Sequence, residues 1–212
     1  MKKFLFILAT SLTLFSCAHE SVESKPITEK EEEKDLSKLS IAYFASGCFW
    51  CVEAVFESVR GVEEAVSGYS GGEIENPTYR QVSSGRIKHA EAVKVYYDPE
   101  VVSYETLVDV FFNSHDPSTL NRQGPDAGPQ YRSVAFYQTD EEKAIIESKI
   151  NGILERGEYG RVTTQVVPFD VFYDAEDYHQ DYERNNPNNG YVQAVSIPRL
   201  NAFKAKMPEV LK

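Results

Sequence analysis

Ile41-Ala42-Tyr43-Phe44-Ala45-Ser46-Gly47-Cys48-Phe49-Trp50-Cys51-Val52-Glu53-Ala54-Val55-Phe56-Glu57-Ser58-Val59 contains the change of period that sets the fold. Ile41 to Ala45 is an unbroken apolar run of strand length. Gly47 interrupts it. From Phe49 on, Val52, Val55, Phe56 and Val59 recur at helical spacing, and Gly61 stops that helix. A strand therefore passes through a glycine turn straight into a helix, with Cys48 at the junction.

The pattern continues downstream. Val62 to Tyr69 reads as a strand. Ser70 to Lys88 is a loop rich in Gly, Ser, Asn and Pro, with a helical turn near Tyr79 to Val82. Ala92 to Tyr97 alternates and ends at Asp98-Pro99. Ser103 suits the N-cap of a helix carrying Leu107, Val108, Phe111 and Phe112. Asp116 to Gln130 is a second irregular stretch. Arg132 to Gln138 is a strand, and Thr139 with Glu142 forms a capping-box pattern ahead of Ile145, Ile146, Ile150 and Leu154. Val162 to Val167 is a further strand and Glu176 to Arg184 a further helical piece. Beyond Asn185 a long irregular tail is expected. The order β-α-β-β-α-β matches the split βαβ, ferredoxin-like arrangement. The expected class is α+β: a two-layer sandwich with a mixed sheet and helices on one face, plus an extra helix and strand. Two long loops inside a compact domain point to function.

Composition narrows the function. The chain has 212 residues, with 22 Lys and Arg against 33 Asp and Glu, a net charge of −11. That leaves no basic surface to neutralise phosphates, so nucleic acid is not an expected partner. Three cysteines cannot make a disulfide-dense scaffold. No GxGxxG follows a strand, and the Gly-rich stretch Gly68 to Gly72 lacks the Lys-Ser/Thr of a phosphate loop. No metal and no organic cofactor is expected.

The first forty residues read as an address and a tether. Met1-Lys2-Lys3 precedes an apolar core from Phe4 to Phe15, too short to span a bilayer and suited to a signal peptide. Leu14-Phe15-Ser16-Cys17 resembles the lipobox of bacterial lipoproteins, which implies cleavage before Cys17 and lipidation of its sulfur. The expected organisation is a signal peptide at 1–16, a lipidated Cys17 opening a charged tether at 17–40, and a catalytic domain at 41–212. The protein is then extracytoplasmic and lipid-anchored. Ala18 stands where inner-membrane retention often uses Asp, which favours the outer membrane, facing the periplasm.

Cys48 is the candidate reactive group. A helix N-terminus offers unpaired N–H groups and partial positive charge, both favouring the nucleophilic thiolate. Cys51 follows one turn later, on the same helix face. A structural disulfide between these positions has poor geometry. A zinc half-site needs two more ligands, and His89, His115 and His179 lack paired spacing, reading instead as structural hydrogen-bonders. A thioredoxin-type redox pair and a nucleophilic cysteine with a resolving partner remain, and the residues alone leave both open.

The surrounding sequence resembles one family. Gly47-Cys48-Phe49-Trp50 with Glu53-Ala54-Val55-Phe56 is similar to the active-site segment of peptide methionine sulfoxide reductase A. The resemblance continues, in order, through Gly68-Tyr69-Ser70-Gly71-Gly72, Asn76-Pro77-Thr78-Tyr79, His89-Ala90-Glu91-Ala92-Val93, His115-Asp116-Pro117, Gln130-Tyr131-Arg132-Ser133, Tyr178-His179-Gln180 and Asn188-Asn189-Gly190-Tyr191. It covers most of residues 41–193.

The resemblance implies that the Cys48 thiolate attacks a sulfoxide sulfur. Glu91 then protonates the oxygen, Tyr79 and Tyr131 hydrogen-bond it, Asp126 organises the pocket, and Phe49 and Trp50 hold the S-methyl group. Taken singly, each residue has an ordinary alternative: Glu91 as a strand-edge ion-pair partner, the tyrosines, Phe49 and Trp50 as packing groups, Asp126 as a turn-former. The implied substrate is the S epimer of methionine sulfoxide, in proteins or free. Many members carry a resolving cysteine after a Gly-Tyr pair. Here Gly190-Tyr191 is followed by Val192, so Cys51 is the candidate resolving residue, direct reduction of the sulfenic acid by an external thiol is the alternative, and an external dithiol of thioredoxin type is the expected reductant. Helical i, i+3 spacing holds Cβ atoms roughly 5–6 Å apart against the 3.5–4.5 Å of a disulfide, so the first turn is expected to shift. A monomer is expected. Two rivals are a thiol–disulfide oxidoreductase, which needs neither Glu91 nor the tyrosines, and a non-enzymatic binding lipoprotein.

Overall fold

The computed structural model describes residues 36–212. The expected signal peptide at 1–16, Cys17 and most of the tether lie outside the described residues. No helix among those described is long and apolar enough to cross a membrane. A 3-10 turn at Leu36–Lys38 falls within the expected tether, and the sheet begins at Ser40.

In chain order the elements are β1 (Ser40–Ser46), α1 (Phe49–Glu57), β2 (Val62–Ser70), α2 (Tyr79–Ser83), β3 (Ala90–Tyr97) and α3 (Tyr104–Asn113). The two-residue strands β4 (Arg122–Gln123) and β5 (Asp126–Ala127) follow, then β6 (Ser133–Tyr137), α4 (Asp140–Glu155), β7 (Gln165–Pro168) and β8 (Phe172–Asp174). The chain ends in the single turn α5 (Tyr182–Asn185) and in α6 (Ile197–Lys206).

The large sheet has the order β7-β6-β1-β3-β2-β8. Its centre, β6-β1-β3-β2, is wholly antiparallel, as the split βαβ pattern requires. The α4 crossover makes β6 and β7 parallel, so the sheet is mixed. The α+β class is therefore the observed one. The sequence signals for the helix starts are also used: Ser103 Oγ accepts from the Thr106 N–H at 3.1 Å, and Thr139 Oγ1 from the Glu142 N–H at 3.2 Å.

One face of the sheet holds the main core. Phe44 of β1 is fully buried there, its ring 5.1 Å from both Phe56 of α1 and Phe111 of α3. Alternation in β3 turns Val93 and Val95 to the same side. The opposite face is smaller and is closed by Phe169, stacked on Tyr43 at 3.7 Å.

The C-terminal tail differs from expectation. Residues Val192–Ser196 form a π-helical turn that runs directly into α6. This helix carries Pro198 in its first turn and buries only Phe203, so its apolar stripe is too thin to read as a period. The short edge strand β8 was likewise not expected. It pairs with β2 across Gly68, where an added Cβ would stand 2.3 Å from the Phe172 ring and 2.4 Å from the Tyr173 carbonyl. Of the two additions, α6 packs against α1, while β8 extends the edge of the sheet.

Phe44 joins the first strand to two helices, so Phe44→Ala should cost roughly 3–5 kcal/mol of stability, read from urea denaturation. A loss below about 1 kcal/mol would show that the aromatic stack is not the centre of the core.

Candidate active site

The β1–β3 register that pairs Phe44 with Val93 leaves Glu91 two residues further along, beside the end of β1. Cys48 follows that end immediately. Gly47 makes the turn with φ +95°, and a Cβ there would meet the Gln123 side chain at 2.7 Å. Only glycine fits on both counts.

Cys48 is the N-cap of α1, with extended backbone (φ −56°, ψ 124°) and no side-chain capping bond. The cap comes from the neighbouring strand instead. The Phe49 N–H donates to Glu91 Oε2 at 3.1 Å. Glu91 is 1% exposed, and burial raises its carboxyl to about 8 despite that bond, with the Asp126 charge adding to the rise. At neutral pH it is a neutral acid beside a thiol.

Cys48, Phe49, Trp50, Tyr79, Glu91, Asp126 and Tyr131 line one cavity of about 280 Å³. Seven of the residues singled out in the sequence thus meet in one space. Tyr79 opens α2, its N–H held by Glu176 Oε1 at 3.0 Å, while Glu176 Oε2 accepts from Tyr69 at 2.9 Å. Burial pushes the Tyr79 hydroxyl up to about 12 and Tyr131 higher still, so both remain neutral donors. Trp50 stacks on Tyr182 at 3.6 Å, and its indole N–H donates to His179 Nδ1 at 3.1 Å. Accepting there places the His179 proton on Nε2 and keeps the ring neutral. His115 is buried between the Phe111 carbonyl and Ser133 Oγ, and His89 bonds the Ile74 carbonyl.

Tyr191 and Asn189 complete the cavity and were not singled out as site residues. Their only signal was membership of the Asn188-Asn189-Gly190-Tyr191 block. The Tyr191 hydroxyl donates to Asp126 Oδ2 at 2.5 Å and lies 3.9 Å from Cys51 Sγ. Burial holds it far above the usual phenol range.

Among the described residues, Cys51 is the one candidate outside this cavity. It lies 2% exposed behind Cys48, in a neighbouring cavity. Because Cys48 is a cap and not a helical residue, the two do not share a helix face as the spacing suggested. The two thiols, both reduced, are close enough for each to shift the acidity of the other. The charge of the pair also sits elsewhere than expected. Burial pushes the Cys48 thiol well up, and the first free N–H of α1 is already used by Glu91. Cys51 is lowered to about 6, first by the Cys48 thiol and then by the Arg199 charge and the Ser196 and Tyr191 hydroxyls. The two thiols titrate as one pair, and the burial of Cys48 and the Arg199 charge beside Cys51 both favour keeping the shared proton on Cys48.

Among the described residues, Glu53, Glu57 and Asp181 bring ligand atoms within 4.8 Å of one another. Burial raises Glu53 to about 8 and Glu57 to about 7, and Glu53 already bonds Ser67 Oγ and the Asp181 N–H. A trio that holds protons near neutrality is a weak cation ligand set.

A neutral buried carboxyl, two phenols and one thiol around an apolar-walled cavity, with a second thiol behind the first, define a thiol-based redox site on a ferredoxin-like scaffold. A sequence model described as peptide methionine sulfoxide reductase matches residues 40–210. The chain is 49% identical over 173 residues to peptide methionine sulfoxide reductase MsrA 1 of Rhodopirellula baltica, covering 81% of this chain and 89% of the relative. Reduced Mxr1 from Saccharomyces cerevisiae superposes with a TM-score of 0.68 at 33% identity, over 76% of this chain and 92% of that one. The structure of Mxr1 in complex with Trx2 gives a TM-score of 0.50 at 26% identity, over 72% and 91%. The chain belongs to the peptide methionine sulfoxide reductase family.

Gly47→Ala should cost roughly 1–3 kcal/mol through the strained φ, and displace Gln123 as well. Urea denaturation checks the first and the reactivity of Cys48 toward iodoacetamide the second. An unchanged protein would show that the turn tolerates a side chain.

Proposed function

We propose that this chain is a peptide-methionine (S)-S-oxide reductase in which Cys48 is the nucleophile and Glu91 the acid. What carries the reading is the Phe49 N–H bond to Glu91, which fixes a neutral carboxyl beside the attacking sulfur in one closed space.

The resting charge on Cys51 serves as the base. Cys48 hands its proton to Cys51 and attacks the sulfoxide sulfur as a thiolate. Glu91 gives its proton to the sulfoxide oxygen, which Tyr79 and Tyr131 hold. The attack forms a bond between the Cys48 sulfur and the methionine sulfur. The protonated oxygen leaves the methionine sulfur as hydroxide and adds to the Cys48 sulfur. The S–S bond breaks with its electron pair going to the methionine sulfur, and methionine departs, leaving Cys48 as a sulfenic acid. Phe49 and Trp50 wall the methyl group, and Asp126 keeps Tyr191 in place. The Cys51 thiol then attacks the Cys48 sulfur, a disulfide forms, and its proton leaves with the hydroxyl as water. A dithiol protein of thioredoxin type restores the pair, and no organic cofactor takes part. The Mxr1 relative in complex with Trx2 supports this choice of reductant. Cys51 lies behind Cys48, close enough for the two thiols to shift each other's acidity, which supports Cys51 as the resolving residue.

The proposed setting is the repair of oxidised extracytoplasmic proteins by a monomer held to the outer membrane through lipid on Cys17, the charged segment to residue 40 acting as a tether. The Leu14-Phe15-Ser16-Cys17 sequence supports it.

Because the Glu91 pKa is raised, the acid form is present below about pH 8 and lost above it. The rate of the sulfoxide step should therefore fall as pH rises through about 8. Glu91→Gln should lower it roughly 10²–10⁴-fold and abolish that limb, while leaving disulfide exchange with small thiols intact. Stopped-flow kinetics on each epimer checks this; equal losses in both reactions would favour a disulfide oxidoreductase. Cys17→Ala should move the protein from the membrane to the soluble fraction on cell fractionation, and a protein still membrane-bound would remove the lipid anchor.

A further inference from the structure

One cation beside the thiols has no part in these steps. Arg199 of α6 lies half-buried behind Cys51. Its Nε donates to the Ser114 carbonyl at 2.7 Å, Nη1 to the Ser46 carbonyl at 2.9 Å and Nη2 to Ser46 Oγ at 3.0 Å. All three acceptors are neutral, and among the described residues no carboxylate pairs with it within 4.0 Å. A cation withdrawn from water in this way is costly unless an anion faces it.

Arg199 also lines a cavity of about 250 Å³ together with Cys51, Asp126 and Tyr191. Cys48 does not line that cavity, and Cys51 does not line the substrate cavity. The two sulfurs therefore open into separate spaces, with Tyr191 and Asp126 forming the wall between them. Of the ionisable groups that face Cys51, Cys48 is a thiol, Tyr191 a neutral phenol and Asp126 is bonded to Tyr191. Arg199 supplies the positive charge.

We propose that Arg199 is the resident counter-charge of the Cys51 thiolate, and that it makes Cys51 the leaving sulfur when the Cys48–Cys51 disulfide is opened. This rests on the resolving role given to Cys51. A thiolate of the external dithiol enters the substrate cavity and attacks the Cys48 sulfur. A bond forms between the reductant and Cys48, the Cys48–Cys51 bond breaks, and its electron pair stays on Cys51, facing Arg199. The reductant's second thiol then attacks its own bound sulfur. Cys48 departs with that thiol's proton, and the dithiol leaves as a disulfide, two electrons poorer. The pair is returned to its starting form, thiol at 48 and thiolate at 51. A leaving thiol of lower pKa departs faster, which directs attack to Cys48. Arg199 is a positioning residue; it touches no reacting atom of the substrate.

The direct test is the pH titration of the Cys51 thiolate by its ultraviolet absorbance in full-length Cys48→Ser protein. Arg199→Gln should raise the midpoint by about one pH unit or more, a tenfold loss of acidity, and Arg199→Lys should recover most of it. Ala194→Glu, at an exposed position on the same cavity wall, should raise the midpoint by about half a pH unit or more, a threefold loss of acidity, without touching the buried hydrogen bonds, and decides the matter should Arg199→Gln fail to fold. Midpoints that stay put in these variants overturn the counter-charge. The second arm uses otherwise unaltered enzyme and a thioredoxin lacking its second cysteine, with peptide mapping of the trapped adduct. An adduct on Cys48 is expected; one on Cys51 overturns the leaving-group assignment. If Cys51→Ser turns over with thioredoxin undiminished while the midpoint still moves, the resolving role fails and the counter-charge stands.

Discussion

Glu91 caps a helix that is not its own. The bond from the Phe49 N–H to its carboxylate oxygen joins the central strand β3 to the first turn of α1, and the rest of the site is arranged around it. It satisfies one of the donors that a helix start leaves open. It also removes that donor from Cys48, which stands one residue earlier. Burial at 1% exposure keeps the carboxyl protonated, so the same group is both a structural cap and a store of one proton. A helix N-terminus alone would have made Cys48 a stable thiolate. This arrangement keeps Cys48 as a thiol until it passes its proton on.

The second cysteine fits the same constraint. With Cys48 outside the helix, three residues of separation do not impose helical geometry on the two thiols. Val192, where many relatives would place a cysteine, is instead fully buried in the π-helical turn that leads into α6. That turn carries Tyr191 into the wall between the two cavities, while α6 brings Arg199 behind Cys51. The C-terminal segment thus acts through position and charge.

Much of this was legible in the sequence where one residue type had one physical use. The switch of period across Gly47 fixed the strand–turn–helix unit, and Ser103 and Thr139 marked helix starts that they do cap. The reactive cluster was legible only through registration with a family, since a lone Glu91 on a strand or two of thirteen tyrosines carry no address. Features built by tertiary contact left little trace. β8 exists because Gly68 lets Phe172 approach, and α6 shows one buried apolar residue. Tyr191 and Arg199 earn their places through partners more than 60 positions away in sequence, Asp126 and Ser46 respectively.

The account stands on the protonation of one carboxyl, and infrared difference spectroscopy of the reduced enzyme reads it directly. The difference between the wild-type and Glu91→Gln spectra, which cancels the protonated carboxyls of Glu53 and Glu57, should contain a protonated carboxyl band at neutral pH that disappears as pH rises through about 8. An Glu91 carboxyl that is ionised at neutral pH would contradict the account, because no proton would then be held where the oxygen must leave.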